Sequence, residues 1–490
     1  MMSSFSRRDF VRGSLFAAAS WGCGRVFAVA PGAADSAGAR LKVGVLSDTH
    51  IVEYGKEAAD EFKRPHNAKT FLRALQSFRD AGVDAVLIAG DISNDGFDSQ
   101  LVAVGEAWRR VFPDDCGKDG RKVVKLFIAG NHDWEGWKYG RVGLKTYKTE
   151  LEMKKHLLSE HLNEIWQKAF DEPFSEVVDK EVNGYRFIGA HWPFHNNITP
   201  YLKRAADTLP KDKPFFYFQH PPLTPPSKQT KKAAKTAESF LVSYPNAIAI
   251  TGHTHYSLSD ERSILYDSFT MVNAASLRYI APPDGRENSG PMRNSDFKQM
   301  PKIDTKSSRH GLLMTVYDDR VVFARREYVE NSVLAPDWVV DFSDRKRNAV
   351  KLRAKSARPP KFAPDAKVWL TDERDGADRA GGRHRQIGVV FDQAQPSSPD
   401  CGRVFDYRVE VRMSQGGLIN ETFAVRRFMA TGFADPQKKV PQRMECVFDA
   451  GTLPHECALE FVVQAADCFG NLSDPISTGK VRLKGKVVRW

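Results

Sequence analysis

Cysteine is scarce in this chain, with six among 490 residues, and none lies beside the acidic and histidine motifs described below. A metal site built from thiolates is therefore excluded at those motifs. The 35 glycines and 27 prolines occur without a period, which excludes a collagen-like or low-complexity chain. Long apolar runs are also missing, because the longest lies within the first 30 residues and no later run could span a membrane.

The remaining composition is that of a large globular protein. Hydrophobic residues make up 41% of the chain and charged residues 27%, so the chain can bury a core and is not disordered throughout. Its 490 residues allow about three domains. The formal net charge of +11 permits an anionic partner, but the basic residues are scattered and identify none.

The N-terminal residues resemble a twin-arginine export leader. Arg7 and Arg8 precede a weakly apolar stretch at residues 14–19, which is too short to span a bilayer. The resemblance predicts a leader and processing region over residues 1–39, with cleavage after Ala30 or further on. It implies a periplasmic or extracellular protein that is exported in its folded form. Cys23 lacks the preceding aliphatic residue of a lipoprotein signal, so no lipid anchor is expected.

From Leu41 onward, short apolar runs alternate with helical patterns, which is typical of an α/β domain. Residues 67–81 have apolar positions at helical spacing and end before Gly82, a residue typical of helix C-termini. Polar residues gather just after the predicted strands, where open α/β sheets bind their ligands. The predicted strands cover residues 42–46, 85–89, 123–129, 185–190, 215–218 and 247–251.

The pattern changes after about residue 330. Residues 336–366 are predicted to form a linker. Residues 367–490 contain short segments with apolar–polar alternation of period two, which predicts a small all-β sandwich that resembles fibronectin-type domains. The sequence leaves open whether the cysteines of this part form two disulfides or remain buried free thiols. These cysteines are Cys401, Cys446, Cys457 and Cys468.

Five short motifs follow the predicted strands and carry side chains suited to chemistry. In chain order they are Asp48-Thr49-His50, Gly90-Asp91, Gly130-Asn131-His132-Asp133, Gln219-His220-Pro221-Pro222 and Gly252-His253-Thr254-His255. Carboxylate and amide oxygens mixed with imidazole nitrogens suit Mn, Fe or Zn. Seven such donors are too many for one tetrahedral ion but suit two ions that share a bridging carboxylate.

Taken together and in this order, the motifs resemble those of the calcineurin-like metallophosphoesterase family over residues 41–276. The resemblance implies an α/β fold of four layers, with two mixed β-sheets flanked by helices, and a catalytic domain over residues 40–335. The implied ligands of a first metal ion are Asp48, His50 and His255. Those of a second are Asn131, His220 and His253, with Asp91 bridging both ions. His132 would be the non-ligand histidine that faces the leaving group.

These roles imply the hydrolysis of small phosphate mono- or diesters. Two transition-metal ions, divalent or trivalent, would lower the pKa of a bridging water and hold the phosphoryl oxygens. The resulting hydroxide would attack phosphorus in line, and His132 would protonate the departing oxygen as a general acid. The sequence does not choose among Mn, Fe and Zn, because cellular supply decides occupancy as much as the ligands do.

Four further residues are predicted to contact the substrate. Asn94 stands three residues after the bridging aspartate, where purple acid phosphatases have a tyrosine and calcineurin-type phosphatases an aspartate. No Fe(III)–tyrosinate is therefore expected, and the neighbouring Asp95 is the carboxylate that could pair with the catalytic histidine. His191 and His195 follow the strand that ends at residue 190, whose end should open onto the same rim.

Two other functions remain open from the sequence. An exported nuclease or nucleotide phosphodiesterase would use the positive charge, but no element interleaves basic and aromatic residues as a nucleic-acid groove needs. A non-catalytic cell-envelope binding protein would carry a degenerate metal set, yet every ligand position is filled. Around the site, Leu151 to Trp166 predicts an amphipathic helix that walls the site or covers the sheet. Polar residues 278–310 are expected to border the pocket.

Overall fold

The computed structural model describes residues 38–52, 67–138, 148–223, 236–283, 285–288, 303–378, 381–397, 403–415, 419–435 and 441–483. Residues 1–37 of the predicted leader and Cys401 lie outside the described residues. Among the described residues, no helix combines the length and the apolar character that a membrane crossing requires. Cys446, Cys457 and Cys468 are buried free thiols in this structure, and Cys116 is half-buried and also free.

The α-helices of the described residues lie mainly in the first half of the chain. They are α1 (Asn67–Ala81), α2 (Asp98–Val111), α3 (Asn131–Glu135), α4 (Glu150–Lys154), α5 (Leu162–Phe170), α6 (Thr199–Ala205), α7 (Glu238–Leu241) and α8 (Val350–Ser356). The predicted helix at residues 67–81 is confirmed as α1. Gly82 follows it with a φ of +67°, the left-handed conformation that ends many helices.

The β-strands of the described residues fall into four sheets. Those of the first two sheets are β1 (Leu41–Leu46), β2 (Ala85–Ala89), β3 (Val124–Ile128), β4 (Val177–Val182), β5 (Tyr185–Ala190), β6 (Phe215–Gln219), β7 (Ala247–Thr251), β8 (Ile264–Tyr266), β9 (Thr270–Asn273), β10 (His310–Val316), β11 (Arg320–Glu327) and β12 (Ser332–Asp341). Those of the last two are β13 (Val368–Leu370), β14 (Arg374–Ala377), β15 (Arg383–Asp392), β16 (Asp406–Gln415), β17 (Ile419–Met429), β18 (Arg443–Asp449), β19 (Ala458–Ala466) and β20 (Ile476–Val481).

The first sheet has the strand order β12-β11-β10-β1-β2-β3. Strands β1, β2 and β3 are parallel, whereas β10, β11 and β12 pair antiparallel with their neighbours. The second sheet has the order β4-β5-β6-β7-β9-β8, in which β5, β6, β7 and β9 are parallel. Both sheets are therefore mixed. The parallel strands read as continuous apolar runs because helices or the other sheet cover both of their faces.

The two sheets pack face to face around a shared core. Val45 of β1 and Leu87 of β2 lie in one buried cluster with Phe216 of β6 and Ile250 of β7. The outer face of the first sheet packs against α1, α2 and α5, and that of the second against α6 and α7. Two central sheets between two layers of helices are the four-layer α/β fold that the sequence predicts.

The C-terminal residues form two further all-β sheets. One has the order β13-β15-β14 with β18 paired to β15, and the other the order β17-β16-β19-β20. Val389 of β15, Val409 of β16 and Phe461 of β19 share one buried cluster. The predicted domain boundaries remain predictions. Strand β12 runs to Asp341, past the proposed boundary at residues 335 and 336, and α8 lies within the proposed linker.

The predicted amphipathic helix over residues 151–166 is not continuous. Helix α4 ends at Lys154, a single turn of 3₁₀-helix covers Leu158–Glu160, and α5 begins at Leu162. Leu151 is 71% exposed and does not join the core, whereas Ile165 and Trp166 of α5 pack against the first sheet. The apolar residues have helical spacing, but the helix is interrupted twice, and Leu151 therefore faces outwards.

Candidate metal centre

The predicted ligands all follow the carboxyl ends of parallel strands. Asp48 and His50 follow β1, Asp91 follows β2, and Asn131 follows β3. From the second sheet, His220 follows β6, and the pair His253 and His255 follows β7. Because the two sheets pack face to face, these ends come together at one edge of the molecule, where α/β sheets carry their ligand sites.

Five of these residues have left-handed backbone conformations, which are rare for residues other than glycine. Their φ angles are +50° at Asp48, +45° at His50, +49° at Asp91, +69° at His253 and +53° at His255. Hydrogen bonds between the loops hold this backbone in place, including those from the N–H of Asp48 to the Gly90 carbonyl (3.0 Å) and from the N–H of His50 to the Asp91 carbonyl (2.9 Å). Strain concentrated at one edge of a sheet is typical of a functional site.

A first group of donors consists of Asp48, His50 and His255, whose ligand atoms lie within 4.8 Å of one another. Asp48 Oδ1 is 2.9 Å from His255 Nε2. His50 Nε2 is 3.4 Å from His255 Nε2 and 3.8 Å from Asp48 Oδ1. The three atoms therefore face a common point.

A second group consists of Asp91, His220 and His253, within the same distance of one another. Asp91 Oδ2 is 3.2 Å from His220 Nε2, which is 3.2 Å from His253 Nδ1. The same carboxylate oxygen is 3.6 Å from His50 Nε2 of the first group. Asp91 thus lies between the two groups, as a bridging carboxylate would.

Hydrogen bonds outside the groups fix the orientation of their members. His220 Nδ1 donates to the Ala89 carbonyl (2.8 Å) and His255 Nδ1 to the Tyr279 carbonyl (3.2 Å), so each ring turns Nε2 towards the cluster. Asp48 Oδ2 accepts from Ser47 Oγ and from the His253 N–H, which leaves Oδ1 for the cluster. Such outer contacts are the usual means of orienting metal ligands.

Burial and the two carboxylates shift the pKa values of three histidines of the cluster, His50, His220 and His253. Burial lowers the pKa of His50 to about 3 and that of His253 to about 4, so both are neutral at pH 7. Burial also acts to lower the pKa of His220, but the charges of Asp91 and Asp48 raise it to about 9. Burial acts to raise the pKa values of Asp48 and Asp91, but the neighbouring histidines hold both below their usual range, so the two ionised carboxylates attract cations.

The residues fit a pair of transition-metal ions. Asp48 Oδ1 and Asn131 Oδ1 are buried and accept no hydrogen bond, which is costly unless another positive partner is present. The backbone packs tightly around the donors, since a Cβ added to Gly130 would lie 2.3 Å from Asp91 Oδ1. Carboxylate, amide and imidazole donors without thiolates match the preferences of Mn, Fe and Zn.

The family profile described as calcineurin-like phosphoesterase matches residues 41–257, which contain both groups of donors. This part of the chain is a calcineurin-like metallophosphoesterase domain. No curated protein matches the chain.

Several solved structures resemble the metallophosphoesterase domain. A dimetal phosphatase from Danio rerio is 14% identical, with 62% of this chain and 99% of that chain covered and a TM-score of 0.35. The purple acid phosphatase PPD1 from yellow lupin seeds is 12% identical, with 61% and 53% covered and a TM-score of 0.40. Vacuolar Protein Sorting 29 from Cryptosporidium parvum is 11% identical, with 61% and 97% covered and a TM-score of 0.28.

His132 lies beside the donors of the metallophosphoesterase domain. Its ring meets that of His50 edge to face with centroids 4.5 Å apart, and its backbone N–H donates to Asp91 Oδ1 (2.7 Å). His132 Nδ1 donates to the backbone carbonyl of Asn94 at 2.7 Å. Asn94 therefore contacts His132 through its main chain, and its contact with the substrate remains a prediction. The carboxylate of Asp95 is buried and accepts from Gln100 Nε2 (3.0 Å).

The two histidines predicted at the rim lie inside the domain. His191 is 1% exposed, its ring contacts Trp166 and Phe174, and its Nδ1 accepts from the Ala129 N–H (2.9 Å). These contacts give it a structural role at the end of β3. His195 is 2% exposed, and burial together with the charges of His220 and His253 lowers its pKa to about 4. His195 thus lies near the second group of donors.

Two residues make contacts at the site that the sequence did not predict. Asp133 is fully buried and accepts hydrogen bonds from the N–H groups of Ser93, Ile92 and Gly130, so it joins the loops after β2 and β3. Its position two residues after the predicted ligand Asn131 is the signal from which a role at the site could have been predicted. Arg278 lies with Nη1 3.2 Å from His50 Nδ1. It begins the polar stretch at residues 278–310 that was expected to border the pocket. Its contact with His50 joins segments distant in the chain, and no sequence pattern indicates such a contact.

Proposed function

We propose that the protein is a metal-dependent phosphoesterase that hydrolyses small phosphate mono- or diesters. The observation that carries the proposal is the convergence of two donor groups on Asp91, with His132 beside them. Asp48, His50 and His255 would hold one cation, and Asn131, His220 and His253 the other, with Asp91 bridging. Two bound cations would supply a water nucleophile of lowered pKa and neutralise charge on the phosphoryl oxygens.

His132 is the proposed general acid. Because its Nδ1 donates to the Asn94 carbonyl, Nε2 is the nitrogen that would approach the leaving oxygen of the substrate. Hydrolysis forms a bond from a water oxygen to phosphorus and breaks the bond to the leaving oxygen, which takes up a proton. His132 Nε2 would supply that proton when the ring is protonated, and the fixed Nδ1 contact holds the ring in the required orientation.

Hydrolysis assays with metal analysis test this function. We expect the full-length, metal-replete protein to hydrolyse p-nitrophenyl phosphate, bis(p-nitrophenyl) phosphate or both, and the Asp91→Asn variant to lose bound metal and activity. Asp84→Asn is the matched control, because Asp84 stands at the other end of β2, where its carboxylate accepts from the Lys42 N–H and pairs with Arg121. A metal-replete wild-type protein that leaves both esters intact would contradict the proposal and favour the non-catalytic binding protein.

A His132→Ala variant tests the general acid. It should keep its metal and lose activity by about 10²–10⁴-fold towards an alkyl phosphate, whose leaving group needs the proton. The loss should be smaller with p-nitrophenyl esters, whose leaving group departs as a stable anion. Full activity of the variant towards the alkyl ester would rule out this role.

We also infer that the protein is exported, on the basis of residues 1–39 alone. Arg7 and Arg8 are the pair that the twin-arginine route would recognise. Replacing both by lysine should retain the protein in the cytoplasm, which cell fractionation measures. Unchanged export of this variant would contradict the twin-arginine route.

A further inference from the structure

Arg278 lies beside the first group of donors, on the chain that follows β9. Its Nη1 is 3.2 Å from His50 Nδ1, and its side chain is half-buried. Its backbone N–H donates to Ser276 Oγ (2.9 Å), which donates to the Asp48 carbonyl (3.1 Å). The backbone of Arg278 is therefore fixed to the loop that carries Asp48 and His50.

The contact of His50 with Arg278 differs from the contacts of the other two histidines that turn Nε2 towards the cluster. His220 and His255 each donate from Nδ1 to a backbone carbonyl. The partner of His50 Nδ1 is instead the guanidinium of Arg278, which can donate hydrogen bonds but cannot accept them. In this contact Nδ1 of His50 is therefore the acceptor, and the ring proton lies on Nε2, the nitrogen that faces the carboxylates.

Ligation of a metal ion by His50 is incompatible with this contact. A neutral imidazole that binds through Nε2 keeps its proton on Nδ1 and donates it to an acceptor. With a metal ion bound to His50, two donors would face each other here, and the guanidinium would be directed to another acceptor. Because the backbone of Arg278 is fixed at Ser276, its side chain would remain at the edge of the site.

We propose that Arg278 binds the phosphoryl oxygens of the substrate in the metal-loaded protein. The inference rests on the proposed phosphoesterase function and adds the residue that recognises the charge of the substrate. A guanidinium presents a planar set of donors that matches two phosphoryl oxygens at once. An anionic phosphate also compensates the repulsion between Arg278 and cations held by the neighbouring donors.

Binding of inorganic phosphate tests the proposal independently of turnover. Calorimetry would compare the metal-loaded, full-length wild type with the Arg278→Ala and Arg278→Lys variants, with metal content measured for each. We expect Arg278→Ala to weaken phosphate binding about 10- to 100-fold at unchanged metal content, with KM rising in parallel. Arg278→Lys should retain part of the affinity. Arg320→Ala, which removes a half-buried arginine at the start of β11 that pairs with Asp319, is the control for net charge and should change nothing.

Two results would overturn the proposal. One is equal phosphate affinity in the wild type and in Arg278→Ala, or in Arg278→Gln if the alanine variant does not fold. The other is loss of metal from Arg278→Ala with unchanged phosphate affinity once metal is restored, which would show that Arg278 only positions His50. Failure of the proposed function is distinguishable from both. If the wild type binds phosphate through Arg278 but hydrolyses neither p-nitrophenyl ester, the proposed role of Arg278 in anion binding stands. The proposed phosphoesterase function is then contradicted.

Discussion

Burial keeps the imidazole of His191 neutral in the folded protein. The ring lies between Trp166 and Phe174, and burial lowers its pKa to about 3. Its Nδ1 accepts the N–H of Ala129, a bond that protonation of Nδ1 would destroy. In the unfolded chain the pKa returns to about 6.5. Between pH 6.5 and pH 3 the unfolded state therefore binds a proton that the folded state does not.

This difference predicts an acid-sensitive contribution to stability. Protonation of the unfolded state favours unfolding, so the contribution of His191 is complete above pH 6.5 and falls as the pH decreases towards 3. At pH 5 the loss should reach about 2 kcal/mol, at about 1.4 kcal/mol per pH unit. His191→Asn keeps an acceptor near the position of Nδ1 without a titrating ring. Its free energy of unfolding, measured by denaturant titration, should fall less steeply between pH 7 and pH 5 than that of the wild type.

The comparison isolates His191, because every other group titrates in both proteins. The asparagine side chain is smaller, so the variant is expected to be less stable at pH 7. The difference in unfolding free energy between the wild type and His191→Asn should become smaller as the pH falls. Parallel curves over this range would show that His191 takes up no excess proton on unfolding.

At the scale of single residues, the sequence indicated where the polar side chains lie but not how the backbone presents them. Asp48 and Asp91 follow apolar runs, and strand ends of one sheet meet at one edge, so their proximity was predictable. Their left-handed backbone was not, because no glycine or asparagine marks it. The contacts of Arg278 and His191 could not be predicted from the sequence for another reason. Their positions depend on packing between segments far apart in the chain.

At the scale of elements, the turn after β2 shows how closely backbone and ligand fit. Gly90 ends the strand with a φ of +88°, and a Cβ added there would lie 2.6 Å from His220 Nδ1. That nitrogen donates to the carbonyl of Ala89, the residue just before. The turn therefore both orients His220 and leaves no room for a side chain.

Gly90→Ala should destabilise the fold because of the positive φ at this position, and it should also lower the affinity for metal ions. Gly82→Ala is the matched control, because Gly82 also has a positive φ of +67° but has no atom within 4 Å of the added Cβ. The control should lose about 1 kcal/mol of unfolding free energy and keep its metal affinity. Gly90→Ala should displace His220 and weaken metal binding about 10- to 100-fold, as loss of an outer contact does. Competition with a chelator measures it, and equal affinity in both variants would contradict the prediction.

The elements themselves were predictable where local sequence decides them. Strand β2 and helix α1 carry clear patterns and match their predicted bounds. The strands β10, β11 and β12 were not assigned to the first sheet, because their place depends on the antiparallel pairing of β10 with β1, more than 260 residues earlier in the chain. The pattern also could not show the breaks between α4 and α5, since apolar spacing does not report how the backbone ends a helix.

At the scale of the whole molecule, the C-terminal sheets hold the loop that carries Arg278. This loop, residues 278–283 and 285–288, begins at the donors, where the Ala281 N–H donates to the His255 carbonyl (2.8 Å). At its other end Arg286 pairs with the buried Asp406 of β16. Glu287 pairs with Arg426 of β17, and the Asn288 side chain binds both backbone groups of Met429. The C-terminal sheets therefore restrain a loop at the edge that carries the two groups of donors.

Asp406→Asn should loosen this restraint and act at the site from a distance. The carboxylate of Asp406 accepts from both Arg286 and Arg427, and the amide would lose the charge that holds them. Glu410→Gln is the matched control, because Glu410 lies on the same strand and is also a nearly buried carboxylate, paired with Arg408 and Arg412. Both variants should have a lower free energy of unfolding, but only Asp406→Asn weakens a contact with the loop.

We expect Asp406→Asn to raise KM about fivefold, equivalent to about 1 kcal/mol of lost loop restraint, and to speed hydrogen exchange in residues 278–283. Glu410→Gln should change neither. Hydrogen exchange measures the mobility of the loop whether or not the protein is an enzyme. It therefore tests the restraint of the loop separately from its effect on KM. Faster exchange with unchanged KM would mean that the loop is held but does not recognise substrate. Unchanged exchange would mean that Asp406 does not hold the loop, and the C-terminal sheets would then have no part in shaping the site through this contact.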